Sequence, residues 1–218
     1  MIWHDNSVAA DTQPTDVNFT GEFVPDPDTA LGRLMTRICI GTDSREQLEA
    51  DLRWELARDD ALRQADITPE SVPEVVDWLI QDHNRQVPFP SQTALGLITG
   101  LEQLTAEGVV FGFGEGADVQ QALTAVSNAA NTLVAEGHSV DGYCFSTIAD
   151  VERMIFEQRL YVGFGVFNET GDGATRIGEH IARVFTERGL RIEWDGSEDH
   201  RIQVLGDYAV PYVDLPDA

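Results

Sequence analysis

VVFGFGEGADVQQAL, Val109 to Leu123, decides how the chain is read. A β-branched and aromatic run, three glycines at alternate positions and a helix start follow one another, which is the order of a phosphate-holding loop. A dinucleotide loop spaces its glycines G-x-G-x-x-G, so that the backbone turns tightly, approaches the pyrophosphate and lets the helix pack close. Gly112, Gly114 and Gly116 are two apart instead, which in an extended strand puts all three on one side and clears space for a packed neighbour. Glu115 would set a negative charge against any anion, and no Lys follows for a P-loop. The stretch is therefore read as a packing strand with a corner, with a ligand loop as the alternative. LYVGFGVF, residues 160–167, repeats Gly-Phe-Gly at Gly163 and Gly165. Two glycine-lined strands let a helix or a ring lie close, and a shared cleft between them stays open.

Beyond Gly108 the pattern is that of short strands: VVFGF, GYCFS, LYVGFGVF, LRIEW and RIQVL. Helices alternate with them. Asp118 and Gln121 stand at capping-box spacing before an apolar face of Val119, Leu123, Val126 and Ala130, and Gly137 is placed as terminator. TIADVERMIFEQR sets Val151 and Ile155 one turn apart. GATRIGEHIARVFTERG turns Ile177, Ile181, Val184 and Phe185 inward and pairs Glu179 with Arg183 outside. The Asp195-Gly196 turn signal makes LRIEW and RIQVL a hairpin.

Before Gly108 the period is helical. Leu31, Leu34, Met35 and Ile38 share a face ahead of Gly41; Ser44 and Gln47 form capping-box spacing ahead of Leu48, Leu52 and Leu56. Pro73 opens a third helix with Val76, Leu79, Ile80 and His83 on one face, and Ser91 caps a fourth. The expected fold class is α/β, with α+β open: a helical N-terminal half on a small mixed sheet. The regions are a flexible polar arm over 1–26, a helical region over 27–107, a sheet region over 108–207 and an extended tail over 208–218.

An ordered set of residues in the second half carries a resemblance. Gly142, Tyr143 and Phe145 lie on one strand; Asp150, Glu152 and Arg153 at a helix start; Leu160, Tyr161, Phe164 and Gly165 on the next strand; Trp194, Asp195, Gly196, Ser197, Asp199 and Arg201 in the hairpin. Over about residues 101–205 the chain resembles the C-terminal half of a bacterial family classed as a domain of unknown function. Many relatives of that kind carry a cysteine-rich turn after the first strand. This chain has GFGEGADV there, so no metal or redox role of those cysteines carries over. The resemblance implies a fold and no activity.

Charge sets the partner expectation. The 218 residues hold 38 Asp and Glu against 14 basic residues, all arginine, for a net charge of -24. Such a field repels nucleic-acid phosphates and anionic lipid heads and favours a cationic partner. The expected function is an acidic binding or regulatory protein, with an immunity-type inhibitor of a basic toxin or nuclease as the concrete form. The expected partner is a basic protein, with no nucleic acid and no membrane; no feature fixes an oligomeric state. The alternatives are a small-ligand binder or enzyme using a cleft near the hairpin, and a halophilic or housekeeping protein whose acidity serves hydration.

No stretch approaches the roughly 20 apolar residues of a bilayer-spanning helix, and no basic segment precedes an apolar run at the start. Cys39 and Cys144 sit in apolar contexts, as small buried hydrophobes. A cytoplasmic protein is expected. His4, His83, His138, His180 and His200 show no metal-ligand spacing and are read as surface or cap residues. No cysteine has a histidine nearby in sequence, and no serine elbow exists, so no catalytic residue, metal or cofactor is assigned. The candidate binding residues are Trp194, Asp195, Asp199 and Arg201 of WDGSEDHR, joined by Tyr143 and Glu152. Each has a structural reading beside it: a solvated turn for the hairpin acids, core for Tyr143 and Trp194, a helix start for Glu152.

Overall fold

In the computed structural model, residues 26–167 and 172–214 are described. The arm expected over 1–26 lies outside them but for Asp26. Contacts divide the chain into two units, one running to Phe89 and resuming at Val210, the other spanning Pro90–Ala209.

The first unit begins where Thr29 accepts the N–H of Gly32 at 3.0 Å and starts α1 (Ala30–Ile40). Gly41 ends that helix at φ 76°, a left-handed conformation that glycine adopts without Cβ strain. The Ser44–Gln47 capping box opens α2 (Arg45–Leu56), and Leu48, Leu52 and Leu56 are buried as their spacing requires. A short helix unanticipated by periodicity, α3 (Asp60–Gln64), follows; Asp59 caps it and Leu62 alone turns inward. Pro73 stands in the first turn of α4 (Val72–Gln86). Leu31, Leu34, Met35, Ile38, Val76 and Leu79 join these residues in one core. Each such side chain contributes about 1.5–3 kcal/mol on burial.

Residues 210–214 of the expected tail belong to this unit. Asn84 donates from Nδ2 to the carbonyl of Tyr212 at 3.0 Å and accepts the Tyr212 N–H at 2.7 Å, so that the Tyr212 ring enters the helical core. His83 bonds the carbonyl of Val210 through Nε2 at 2.7 Å. His83 is 2% exposed, which corrects its reading as a surface or cap residue.

In the second unit, Ser91 caps α5 (Gln92–Ala106), and its hydroxyl also donates to the Asp207 carbonyl at 2.8 Å. Gly108, at φ 86°, turns the chain into β1 (Val109–Phe113). The order continues α6 (Val119–Ala135), β2 (Gly142–Ser146), α7 (Ile148–Glu157), β3 (Arg159–Gly165), α8 (Gly173–Glu187), β4 (Arg191–Glu193) and β5 (Ile202–Leu205). The strands form one sheet in the order β1-β2-β3-β5-β4, with β1 and β2 parallel and the other pairs antiparallel. This is the α/β class, with the expected terminal hairpin paired Ile192 to Val204. By contacts α5 falls in the same unit as the sheet.

Packing corrects several local expectations. Only Gly112 of the glycine triplet lies in a strand; Gly114 and Gly116 turn at φ 68° and 69°. They make the corner, where a Cβ on Gly116 would meet Gln121 Cβ at 2.5 Å, and Gly112 clears space in the strand: a Cβ there would lie 2.9 Å from Val126 Cγ1 of α6. The Asp118–Gln121 box is half formed, because Gln121 Oε1 accepts from Ala117 at 3.1 Å rather than from Asp118. Ala122, Val126 and Ala130 are the buried face of α6, while Val119 is exposed. In α7 Met154 is buried with Val151, and Ile155 is only partly covered. On α8 Arg183 bonds Glu187 and His180, not Glu179.

Candidate functional site

Strand alternation gives the sheet two chemically different faces. On one, α8 packs so closely that a Cβ on Gly178 would sit 2.7 Å from the Phe164 ring and 2.8 Å from that of Trp194. Phe164 and Trp194 meet edge to face, 5.5 Å between centroids at 88°. On the other face, α6 covers Val110, Tyr143 and Phe145. The Phe145 ring lies across Gly163, where a Cβ would fall 2.7 Å from Cζ, and Tyr143 lies across Gly165, where it would fall 2.5 Å from the phenol oxygen. Glycines in β3 therefore seat two aromatic rings of β2, as the packing reading holds. Burial pushes the Tyr143 phenol above its ordinary pKa.

On this second face the charged residues converge. Asp150, at N3 of α7, is 3% exposed and closes a capping box with Thr147. Its Oδ2 accepts from the Thr147 N–H at 3.1 Å, the Thr147 hydroxyl at 2.8 Å and Arg201 Nη1 at 2.9 Å; its Oδ1 accepts from Arg153 Nη1 at 3.4 Å. The Arg201 guanidinium lies 5.8 Å from the Phe145 centroid and that of Arg153 5.3 Å from Tyr161, cation–π distances. Arg159 continues the face, pairing with Glu193 at 3.6 Å and hydrogen-bonding Gln203. Glu152, on the same helix, is half-buried, and desolvation raises its carboxyl pKa.

The six candidates thus separate. Arg201, Tyr143 and Phe145 share one face and Trp194 lies on the other. Trp194 Nε1 donates to the carbonyls of Ser197 at 2.9 Å and His200 at 3.1 Å, and so holds the loop closed. Asp195 accepts the Ser197 N–H at 3.0 Å and bonds His200 Nδ1 at 2.7 Å; the Ser197 bond, then His200, lower its pKa. Asp199 donates its backbone N–H to Ser197 Oγ at 3.2 Å and is exposed. Asp150, Arg153 and Tyr161 are the site residues sequence reasoning did not single out for binding; their signals were the Asp-x-Glu-Arg helix start and, for Tyr161, the strand that follows it.

Two further clusters complete the chemistry. Cys39 Sγ lies 3.7 Å from His83 Nδ1, both buried, so the fold supplies a cysteine–histidine contact that sequence distance conceals. Burial pushes the Cys39 thiol up to about 12, which removes the thiolate a nucleophile needs. An open cleft of about 440 Å³ lies between the ends of α5 and α6, lined by residues including Glu107, Leu133, His138 and Asp141. Among the described residues no group of three or more His, Cys, Asp or Glu is placed to hold a metal ion, and no helix is long and apolar enough to cross a membrane.

No curated protein and no solved structure matches the chain. One family pattern does, and it reaches from the first turn before α1 to the last residues after β5, so the shared architecture includes the N-terminal helices as well as the sheet. By that match, over residues 27–208, the chain belongs to the family described as Domain of unknown function (DUF6891).

Proposed function

We propose that this chain is an acidic binding protein for a cationic macromolecule, in the manner of an inhibitor that covers the basic groove of a toxin or nuclease. One observation supports the reading: most of the arginines are already paired with the chain's own carboxylates. Among the described residues, 11 of the 14 are ion-paired to the chain's own carboxylates, Arg58, Arg188 and Arg191 being the others. Arg58 instead sits 3.8 Å over the Trp54 ring, and Arg188 bonds Gln103. With 38 acidic residues and no lysine, the unpaired charge left for solvent is mostly carboxylate. Opposite fields accelerate encounter and fix register, so a basic partner is the class this surface serves.

The test uses the whole chain immobilised and challenged with polyarginine and, separately, with heparin as a polyanion. Polyarginine retained at about 50 mM salt and released by about 500 mM is the expected result, because the screening length falls below about 5 Å over that range. Absence of polyarginine retention at low salt, or retention of heparin, overturns the reading.

A further inference from the structure

We infer that the open cleft between the ends of α5 and α6 binds an aliphatic ammonium group, an inference that rests on the cation-binding reading above and names the group recognised. Gly108 lines the cleft and has no side chain to fill it. A Cβ built on Gly108 would lie 3.3 Å from Asp141 Oδ2 and 3.3 Å from the carbonyl oxygen of Ser139, so two acceptors converge on the space that the glycine leaves open. Among the described residues neither oxygen accepts a hydrogen bond.

The two acceptors are held in place before any ligand arrives. Asp141 donates its N–H to the Gly108 carbonyl at 2.8 Å, and His138 donates its N–H to the Leu133 carbonyl at 2.9 Å, which pins both ends of the turn that carries Ser139. A ligand therefore meets fixed oxygens and orders little of the chain on binding. Val110, Leu133 and Val140 give the cleft apolar walls. Glu107 adds a second carboxylate to the lining, its oxygens already reached by His180 Nε2 at 2.9 Å and Gln103 Nε2 at 2.9 Å. Among the described lining residues none is arginine, and His138 is the one basic side chain. The charge that faces the cleft without a partner is that of Asp141.

Geometry and walls together set the ligand class. An ammonium is compact and carries three donors, which suits one carboxylate and one separate carbonyl placed around a single point. A guanidinium fork matches the two parallel oxygens of one carboxylate instead. The apolar walls take the hydrocarbon stem, at roughly fourfold in affinity for each CH₂ fully buried. A lysine side chain of a basic partner and a free alkylamine share this chemistry.

The test titrates the full chain at constant ionic strength with n-butylammonium, and separately with methylammonium, and follows the backbone amide resonances of Gly108, Ser139 and Asp141. Butylammonium is expected to shift them saturably and to bind at least roughly fourfold more tightly than methylammonium. Asp141 is exposed and its carboxylate supports no contact among the described residues, so Asp141→Asn keeps the fold, with an unchanged far-UV spectrum. This variant should weaken butylammonium roughly tenfold, the equivalent of one charged hydrogen bond. No saturable shift in the wild-type chain overturns the site, as does equal affinity in Asp141→Asn; equal binding of methylammonium overturns the stem assignment. Nα-acetyl-lysine amide bound as tightly as butylammonium supports a protein side chain as the natural occupant, and clearly weaker binding supports a free amine. Polyarginine retention without amine binding overturns this site alone, whereas saturable amine binding without polyarginine retention overturns the macromolecular reading alone.

Discussion

Arg201 donates from Nη1 to Oδ2 of Asp150 across 2.9 Å, and 51 residues of chain separate the two. The bond ties the end of the hairpin loop to the first turn of α7. It also explains why a carboxylate can sit at 3% exposure: four donors reach its two oxygens.

Asp150→Asn should therefore destabilise the second unit by about 1–3 kcal/mol, because it removes the charge while keeping the shape. The cost stays below that of a fully buried pair, since both arginines are more than a third exposed and recover water. Denaturant unfolding followed by Trp fluorescence measures it. A midpoint unchanged from wild type would show that the network adds nothing to stability.

His83 makes a pH prediction. Burial lowers its pKa below the ordinary 6.5, outweighing the Val210 carbonyl and the Asp82 charge, which raise it. Around it lie the Cys39 thiol, the Val210 carbonyl and Asp82, itself held by Arg85 at 2.8 Å. Between the folded pKa and 6.5 the unfolded chain binds a proton that the folded chain does not. Stability contributed by neutral His83 is thus present above 6.5 and is lost as pH falls toward the folded value. His83→Gln should be less stable than wild type at pH 7.5 and should show a flatter decline to about pH 5. Parallel pH profiles for the two proteins would contradict the assignment.

How much of this was readable in the sequence depends on the range of the interaction. Caps and terminators are local, so Ser44 with Gln47, Ser91, Gly41, Gly108 and Gly137 stand where their spacing put them. The five strands were legible from β-branched and aromatic runs. What spacing could not carry was depth and long-range pairing. Val119 and Ala122 both fit a helical face, and only the position of the sheet decides that Ala122 is the buried one. The site is in the same position: Asp150 read as a helix-start residue and is one, yet Arg201 reaches it only because β5 pairs with β3. The hairpin drew attention by its acids, whereas the residue that joins the converging face is its arginine.

Thiol reactivity offers a quick check on the burial of both cysteines. Cys39 and Cys144 are pushed up to about 12 by desolvation, so at pH 8 thiolate is scarce and access is closed. The folded chain should show almost no reaction with a disulfide reagent over minutes, and both thiols should react fully once denatured. Rapid modification of Cys39 in the folded chain would mean that the contact with His83 activates it.

The aromatic seat on β3 can be tested by coupling. Gly163→Ala would place a Cβ 2.7 Å from Cζ and 2.8 Å from Cε1 of Phe145, and this ring is itself buried under α6 with little room to give. The expected cost is about 1–3 kcal/mol, the range for an added methyl in a filled core. If the Phe145 ring is what forbids the methyl, the same substitution made in a Phe145→Leu background should cost less, with a coupling of at least about 0.5 kcal/mol. Additive effects would instead show that Gly163 serves the backbone of β3 rather than the ring of β2.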